Sequence, residues 1–285
     1  MTTLNLRAIA QYLKDPSYLP KLIDWHRPSS SSVQDHIFIF GAPRSGTTLM
    51  KLILGTHPNL ASPGYETGFF TRKKILNNLI SYDSNPQNNS VNQLREESQD
   101  IIQFFDAYAQ QVCEENQRKR FVEKTPSHVL RINFLIKHFT NSQFINMFRD
   151  GRDCYCSARN HPNVKQGSDL VRYAKYWKKC VTARLEMGNH PRVIDIKYEE
   201  LVNNPEEVVK NMMEFLNEQY TAKQLSPFMH SKNSIMSSKR EEFSKLSKPI
   251  NSSSVSRFQK ELSQKEIAQF QKIAGQELEL LGYLS

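Results

Sequence analysis

The chain has 285 residues, of which 38% are hydrophobic and 24% are charged. This length is enough for one α/β domain with a sizeable core. The formal net charge of +9 suits a polyanionic partner such as a nucleotide, a nucleic acid or a membrane surface. The basic residues are scattered, however, with no arginine-rich tail, which argues against a nucleic-acid partner.

Neither a membrane partner nor a secretory route is expected. No stretch approaches the roughly 18 apolar residues that a spanning helix needs, and residues 1–10 contain no long apolar run typical of a secretory signal. Among four cysteines, only Cys154 and Cys156 are close together, and a lone C-x-C is a poor zinc signature. We therefore expect a cytoplasmic protein with reduced thiols and no metal.

The N-terminal part of the chain differs from the rest. An amphipathic pattern predicts helix up to about Arg27, interrupted at Pro16 and Pro20, and the serines of residues 29–32 indicate a linker. We interpret residues 1–285 as a single domain, in which residues 1–32 are a helical extension and linker.

Short apolar runs rich in β-forming residues alternate with segments of helical spacing along the remaining chain. The predicted strands are residues 36–40, 120–124, 143–148 and 192–197. The predicted helices are residues 47–56, 127–139, 168–187, 205–216 and 263–281, with another after Asp150; residues 81–93 and 231–256 are predicted loops. This alternation predicts an α/β fold, a parallel β-sheet flanked by helices, in which ligands bind at the carboxyl ends of the strands.

A glycine-rich turn joins the first predicted strand to the helix that follows. Residues 41–48 read G-A-P-R-S-G-T-T, and backbone N–H groups at such a turn and helix N-terminus bind anions. The glycine spacing matches the Walker loop, but Thr47 and Thr48 replace its Lys-Ser/Thr pair. A nucleoside triphosphatase needs that lysine and an acidic Mg²⁺ ligand. Arg44 offers a positive charge instead, and a metal is then not required.

Residues 43–50, P-R-S-G-T-T-L-M, resemble the 5′-phosphosulfate loop of sulfotransferases that use 3′-phosphoadenosine 5′-phosphosulfate (PAPS). The resemblance is greatest to the branch of tyrosylprotein sulfotransferases and their bacterial relatives. It implies a P-loop-like sulfotransferase fold and an enzyme that releases 3′-phosphoadenosine 5′-phosphate (PAP). It also implies that five loop residues hold the phosphosulfate end of the donor: Arg44, Ser45, Gly46, Thr47 and Thr48.

A second anion clamp is predicted after residues 143–148. Arg149 opens the segment R-D-G-R, and Ser157 follows eight residues later. Arginine can bind two phosphate oxygens at once, and the pair resembles the family's second signature, whose Arg and Ser bind the 3′-phosphate. Arg159 is displaced by two positions from a later arginine of the family, so its role stays open.

Three further segments resemble family motifs in chain order. Lys124 begins K-T-P, similar to a segment whose lysine lies near the transferring group. Tyr198 begins Y-E-E-L, similar to a Y-E-x-L segment whose tyrosine contacts the nucleotide. Residues 256–258, S-R-F, resemble a C-terminal S-K-W stretch, with Arg257 in the cationic position. Ser244, upstream of it, is a further candidate to face the sulfate.

Sulfuryl transfer resembles phosphoryl transfer, an in-line displacement in which charge spreads over three oxygens. It needs a base for the acceptor hydroxyl and cations around the sulfate. The candidates for the base are Glu66, His57 and Glu123. Glu66 lies in G-Y-E-T, which resembles the family's G-E-E-T segment, whose second Glu is the base. We therefore predict Glu66 as the base, with Lys124 and Arg44 stabilising the transition state.

The acceptor cannot be read from the sequence. Tyrosylprotein sulfotransferases carry a membrane anchor, and none is expected here, so we favour a small hydroxylated metabolite, such as a natural product. A protein tyrosine, an amine acceptor, a P-loop kinase of small molecules and a non-catalytic nucleotide binder remain alternatives. The missing Walker lysine argues against the kinase, and the presence of Glu66 and Lys124 argues against the non-catalytic binder. The oligomeric state is not indicated.

Overall fold

The computed structural model describes residues 24–25, 27–71, 89–227 and 250–284. Most of the predicted N-terminal helix, and Ser244 with most of the second predicted loop, lie outside these ranges. Within them, no helix is both long enough and apolar enough to cross a membrane.

A five-stranded parallel sheet lies at the centre of the described chain. Its strands are β1 (Ile37–Gly41), β2 (Leu60–Ala61), β3 (Arg120–Lys124), β4 (Gln143–Phe148) and β5 (Val193–Lys197), in the order β2-β3-β1-β4-β5. Ile39 of the central strand pairs with Lys124 on one side and Ile145 on the other. The carboxyl ends of β1, β3 and β4 therefore lie side by side. The chain leaves β1 and β4 toward opposite edges of the sheet, and ligands bind at such a point.

The central strand separates two apolar layers because its side chains alternate between the two faces of the sheet. Phe38 and Phe40 point into an aromatic layer, whereas Ile37 and Ile39 point into an aliphatic layer. All four side chains are buried. A parallel strand that is covered on both faces is continuously apolar in sequence, as residues 36–40 are apart from His36.

Helices cover both layers of the sheet. In chain order the described helices are α1 (Thr47–Gly55), α2 (Asn89–Glu97), α3 (Ile101–Glu115), α4 (Ile132–His138), α5 (Gly151–Ala158), α6 (Leu170–Leu185), α7 (Tyr198–Asn203), α8 (Pro205–Phe215), α9 (Phe258–Glu261) and α10 (Gln264–Leu280). Helices α1, α7 and α8 pack on the aliphatic layer, and α3, α4, α5, α6 and α10 pack on the aromatic layer. The predicted α/β fold is thus confirmed.

The four predicted strands agree with β1, β3, β4 and β5 to within one residue, whereas the two-residue strand β2 was not predicted. Two local predictions are wrong. Residues 89–93, predicted as loop, form the first part of α2. The helix predicted over residues 127–139 begins as a 3₁₀ segment, Pro126–Arg131, before α4. Proline fits the first turn of a helix, but a proline-led turn here keeps the tighter geometry for six residues.

Helix α3 was not predicted, although its sequence carries the signal. Apolar residues recur at positions 101, 104, 105, 108 and 112, which all lie on one helical face. Asp100 caps the helix, since its carboxylate accepts hydrogen bonds from the backbone N–H groups of Ile102 (2.9 Å) and Gln103 (3.1 Å).

The predicted linker ends inside the folded domain. Ser32 is buried, and its backbone N–H donates to the carbonyl of His138 at 2.7 Å. Its hydroxyl donates to Asp106 of α3 at 2.8 Å. The last linker residue is therefore part of the packed structure.

Candidate active site

The phosphate loop, residues 41–48, connects the end of β1 to α1. Gly46 has a left-handed φ of 100°, and a Cβ atom there would lie 2.7 Å from Cδ2 of Tyr198. Only glycine fits both requirements. Helix α1 then begins at Thr47 without a side-chain cap. The first backbone N–H groups of the helix are therefore available to an anion.

Two buried polar atoms beside this loop have no hydrogen-bond partner within the described part of the chain. They are Oγ of Ser45 and Nε of Arg149. Both residues are buried, with at most 5% of their surface exposed. Because buried polar atoms are nearly always paired, these two atoms indicate a site that a polar ligand completes.

The second predicted clamp meets the phosphate loop. Arg149, at the end of β4, donates through Nη1 to the carbonyl of Arg44 (3.1 Å) and through Nη2 to the carbonyl of Ser254 (2.6 Å). Its guanidinium lies 4.2 Å from the centre of the Tyr198 ring. Arg44 Nε in turn donates to the hydroxyl of Ser157 at 3.0 Å. Two motifs more than 100 residues apart in sequence thus form one basic site.

Asp150, the acidic residue of the R-D-G-R segment, has a structural role. Asp150 caps α5 by accepting from the N–H of Arg152, and it also forms an ion pair with the Arg152 guanidinium at 2.7 Å. The N–H of Asp150 donates to Glu199, one residue after Tyr198. These bonds fix the start of α5, and with it the position of Arg149.

A C-terminal segment, residues 250–258, lies against the second clamp. The buried carboxylate of Asp153 accepts hydrogen bonds from the N–H groups of Ser256 (2.7 Å) and Phe258 (2.9 Å). The carbonyl of Ser254 accepts from Arg149. Asp153 therefore holds this segment beside the site.

Arg257 and Arg159, the two arginines of uncertain role, share one carboxylate. Arg257 Nε donates to Glu261 at 2.7 Å, and Arg159 Nη2 lies 3.0 Å from the other oxygen of the same carboxylate. Both guanidinium groups are thus close to the C-terminal segment. A contact of Arg257 with the donor stays a prediction.

Glu66 and Lys124 form an ion pair at the carboxyl end of β3. Lys124 Nζ lies 2.5 Å from Oε1 of Glu66 and 3.5 Å from the hydroxyl of Thr48 in α1. The lysine side chain is 6% exposed and the glutamate side chain is 50% exposed. This part of the site therefore contains an accessible carboxylate and a buried cation, both next to the start of α1.

The other two candidates for the base lie elsewhere. His57 is ten residues beyond the start of α1, about 15 Å along a helical path. Its Nε2 donates to the carbonyl of Gln219, and its Nδ1 accepts from the N–H of Asn59. Burial also lowers the pKa of His57. Glu123 is fully buried, and it points to the face of the sheet opposite Lys124. Neither can reach an acceptor beside Lys124.

Lys51 is a charged residue of this region that the sequence analysis missed. It lies in α1, is 9% exposed, and donates through Nζ to the carbonyl of Pro63. Burial, together with repulsion from Lys124, lowers its pKa to about 8. The only sequence signal is a lysine between the apolar residues Met50 and Leu52.

The buried charge of Lys51 should cost stability. The folded state binds this proton less tightly than the unfolded chain, so the protonated lysine opposes folding below about pH 8. The penalty is on the order of 3 kcal/mol and fades as the pH rises from about 8 toward 10.5. We expect Lys51→Met to raise the free energy of unfolding at pH 7 by about 1–3 kcal/mol, with a smaller gain at pH 9.5.

Denaturant unfolding at both pH values tests this prediction. Lys210→Met is the matched control, since Lys210 lies on the exposed face of α8 beside Glu206. It should change stability little at either pH. A Lys51→Met variant that is less stable than the wild type at pH 7 would show that the Pro63 contact outweighs the burial of the charge.

Comparison with known proteins agrees with this geometry. The model of the sulfotransferase family matches residues 36–222, and the chain therefore belongs to that family. The Drosophila melanogaster protein-tyrosine sulfotransferase is 28% identical over 263 residues, which cover 87% of this chain and 51% of that protein. The Gallus gallus protein-tyrosine sulfotransferase 2 is 30% identical over 63% of this chain and 50% of its own length. The chain thus spans about half the length of these two relatives.

Solved structures share the fold. The sulfotransferase domain of the Synechococcus PCC 7002 olefin synthase has a TM-score of 0.60 at 21% identity, covering 88% of this chain and 98% of that domain. The sulfotransferase domain from the curacin biosynthetic pathway has a TM-score of 0.58 at 18% identity, covering 86% and 98%. Mouse sulfotransferase SULT7A1 complexed with PAP has a TM-score of 0.51 at 16% identity, covering 88% and 87%. The predicted P-loop-like sulfotransferase fold is therefore confirmed.

Proposed function

We propose that the chain transfers a sulfuryl group from PAPS to the hydroxyl of a small-molecule acceptor and releases PAP. One observation carries the proposal: the phosphate loop and the R-D-G-R clamp meet through Arg44, Arg149 and Ser157, next to the Glu66–Lys124 pair. Two anion sites joined by a basic bridge suit a donor with phosphates at both ends of its ribose. Family membership supports the same reaction.

The residues present fit this donor. The uncapped start of α1 and the hydroxyls of Thr47 and Thr48 suit the phosphosulfate end. Arg149 and Ser157 suit the 3′-phosphate, and the unpaired Nε of Arg149 is a further donor for it. Tyr198 packs against Gly46 and under Arg149, where its ring suits contact with the nucleotide.

The chemistry then follows from the positions of two side chains. PAPS supplies an activated sulfuryl group with PAP as its leaving group. The acceptor oxygen forms a bond to sulfur while the bond from sulfur to the 5′-phosphate of PAP breaks. Glu66 takes the proton of the acceptor hydroxyl. Lys124, Arg44 and the first N–H groups of α1 stabilise the charge on the sulfuryl oxygens, in a site where Lys124 is already buried.

A small-molecule acceptor is favoured because two domains with the same fold come from an olefin synthase and from the curacin biosynthetic pathway. A protein tyrosine is the second candidate, because the relatives with 28–30% identity are protein-tyrosine sulfotransferases. Labelled PAPS offered to a metabolite extract and to a tyrosine-containing peptide separates the two. A cytoplasmic location, a single domain over residues 1–285 and the independence from metal also stay predictions.

Donor binding should require no metal. Arg44 supplies the positive charge that the Walker lysine gives in nucleoside triphosphatases, and within residues 27–71, 89–227 and 250–284 no cluster of three His, Cys, Asp or Glu side chains could hold an ion. We expect calorimetry to give the same affinity for PAP with Mg²⁺ and with EDTA, and a weaker affinity for ATP. Binding of PAP only with Mg²⁺, or a preference for ATP, would exclude the proposed donor and favour a kinase.

Arg149→Ala should selectively weaken the binding of nucleotides that carry a 3′-phosphate. A charge-assisted hydrogen bond contributes about 1.5–3 kcal/mol, so the affinity for PAP should fall roughly ten- to a hundredfold. The affinity for AMP, which lacks the 3′-phosphate, should change little. Because Arg149 also binds the carbonyls of Arg44 and Ser254, equal losses for PAP and AMP would indicate a purely structural role. Arg172→Ala, on the exposed face of α6, is the control for loss of charge.

A further inference from the structure

Glu123 is fully buried, and the proposed reaction gives it no part. It lies one residue before Lys124 on β3, and strand alternation directs its side chain into the aromatic layer with Phe121. Burial raises the pKa of Glu123 to about 7, against the opposing effect of its hydrogen bonds and of Lys51 and Lys124. Because burial of a carboxylate is unfavourable, the contacts of Glu123 should show what its burial achieves.

Two threonine side chains lie at the Glu123 carboxylate. Thr125 Oγ1 donates to Oε1 at 2.6 Å, and Thr67 is close enough to oppose the rise of the Glu123 pKa, while Oε2 has no hydrogen-bond partner within the described residues. Nδ1 of His128 lies 3.7 Å from the same carboxylate. Thr125 and His128 belong to the chain that follows β3, whereas Thr67 directly follows Glu66.

These same groups hold the segment that carries the proposed base. We call residues 63–70 the base loop. The N–H of Gly68 donates to Thr125 Oγ1 at 3.0 Å, and the N–H of Phe70 donates to Nε2 of His128 at 3.3 Å. The N–H groups of Gly68 and Phe70, together with the Thr67 side chain, therefore attach the base loop to the chain around the end of β3.

The directions of the hydrogen bonds at Thr125 explain why the attachment of the base loop needs the Glu123 carboxylate. A threonine hydroxyl has one hydrogen, and Glu123 accepts it from Thr125, which leaves the oxygen lone pairs to accept the N–H of the base loop. Without an acceptor behind it, the hydroxyl has no fixed orientation toward that N–H. We infer that Glu123 is a positioning residue, which fixes the base loop through Thr125 and Thr67 and thereby holds Glu66 beside its acceptor. This inference rests on the proposed role of Glu66.

Two variants remove the anchor without removing a reacting group. Glu123→Leu keeps a similar volume but has no acceptor, and Thr125→Val keeps the shape but has no hydroxyl. Thr125→Ser keeps the hydroxyl and should rescue the function. Val209→Ala in α8 is the control for a core defect, since Val209 is fully buried in the aliphatic layer, on the other face of the sheet from the Glu123 side chain.

Hydrogen exchange of the Gly68 and Phe70 N–H groups is the direct measurement, and it does not depend on activity. We expect both groups to exchange at least about tenfold faster in Glu123→Leu and Thr125→Val. Transfer from PAPS to 4-nitrophenol, used as probe acceptor, should show kcat reduced about 10- to 100-fold, because a small misplacement of a reacting group has such effects. The dissociation constant of PAP should stay within about twofold, since the donor anchors are untouched.

The outcomes separate the inference from the proposed function. Thr125→Ser should match the wild type, and Val209→Ala should lose thermal stability but keep slow exchange and kcat. Unchanged exchange of both N–H groups in Glu123→Leu would overturn the positioning role. If the wild type transfers no sulfuryl group, the proposed function is wrong. Faster exchange in the variants would still support the role of Glu123 in holding the base loop.

Discussion

Glu66→Gln should lower kcat for sulfuryl transfer by about 10²–10⁴-fold, the usual effect of losing a general base. Glutamine keeps the size of the side chain but cannot take the proton of the acceptor. The affinity for PAP should hardly change, because the proposed phosphate contacts come from Arg44, Arg149, Ser157 and the start of α1. Single-turnover transfer to 4-nitrophenol, with calorimetry of PAP on the same sample, measures both quantities.

The competing explanation is that Glu66 only pairs with Lys124. On that explanation, Glu66→Gln would leave the buried Lys124 ammonium without its anion, so the variant should lose some thermal stability but keep its kcat. Glu115→Gln, at the exposed end of α3, serves as the control and should keep the wild-type kcat. A Glu66→Gln variant with nearly wild-type kcat would remove Glu66 from the reaction.

Lys124→Met should lower kcat by about 10²–10³-fold, as does removal of one group that stabilises a developing oxyanion. Lys124 is buried between Glu66 and Thr48, where its charge is poorly screened by water. The affinity for PAP, which lacks the sulfuryl group, should fall much less than the affinity for PAPS. Rapid-quench measurements of transfer, with binding of both nucleotides, separate these effects.

Lys119→Met is the matched control for Lys124, because Lys119 is exposed and lies five residues earlier in the chain. It should leave kcat unchanged. Lys124→Arg keeps the charge but changes its shape, and we expect an intermediate rate. Equal losses of PAP and PAPS affinity in Lys124→Met, without a loss of kcat, would mean that this lysine binds nucleotide and takes no part in transfer.

Local patterns were sufficient for much of the fold. The strands at residues 120–124 and 143–148 were predicted with their observed bounds, because short β-forming apolar runs between polar segments have few other structures. The phosphate loop was equally readable, since its glycines sit between a strand and a helix. The miss at α3 was avoidable, because its apolar spacing and the capping Asp100 are both visible in the sequence.

The details of the site depend on tertiary structure. Contact between Arg44 and Ser157, which are 113 residues apart, arises from the neighbouring positions of β1 and β4 in the sheet. The burial of Lys51 also follows from packing and not from its neighbours in sequence. Strand alternation directs the side chains of Glu123 and Lys124 to opposite faces of the sheet, a signal that the sequence-based prediction of Glu123 as a candidate base left unused. The link of Glu123 to the base loop, by contrast, required the three-dimensional structure.

Transfer of radiolabelled sulfur from PAPS is the most direct test of the proposed reaction. Wild-type protein and Glu66→Gln would be incubated, with EDTA present, with labelled PAPS and a metabolite extract of the host. The proposed reaction predicts label in an organic product with the wild type, equimolar formation of PAP, and at least about 10²-fold less product with Glu66→Gln. Label found only in PAPS and inorganic sulfate with the wild type, for metabolites and for tyrosine peptides alike, would contradict it.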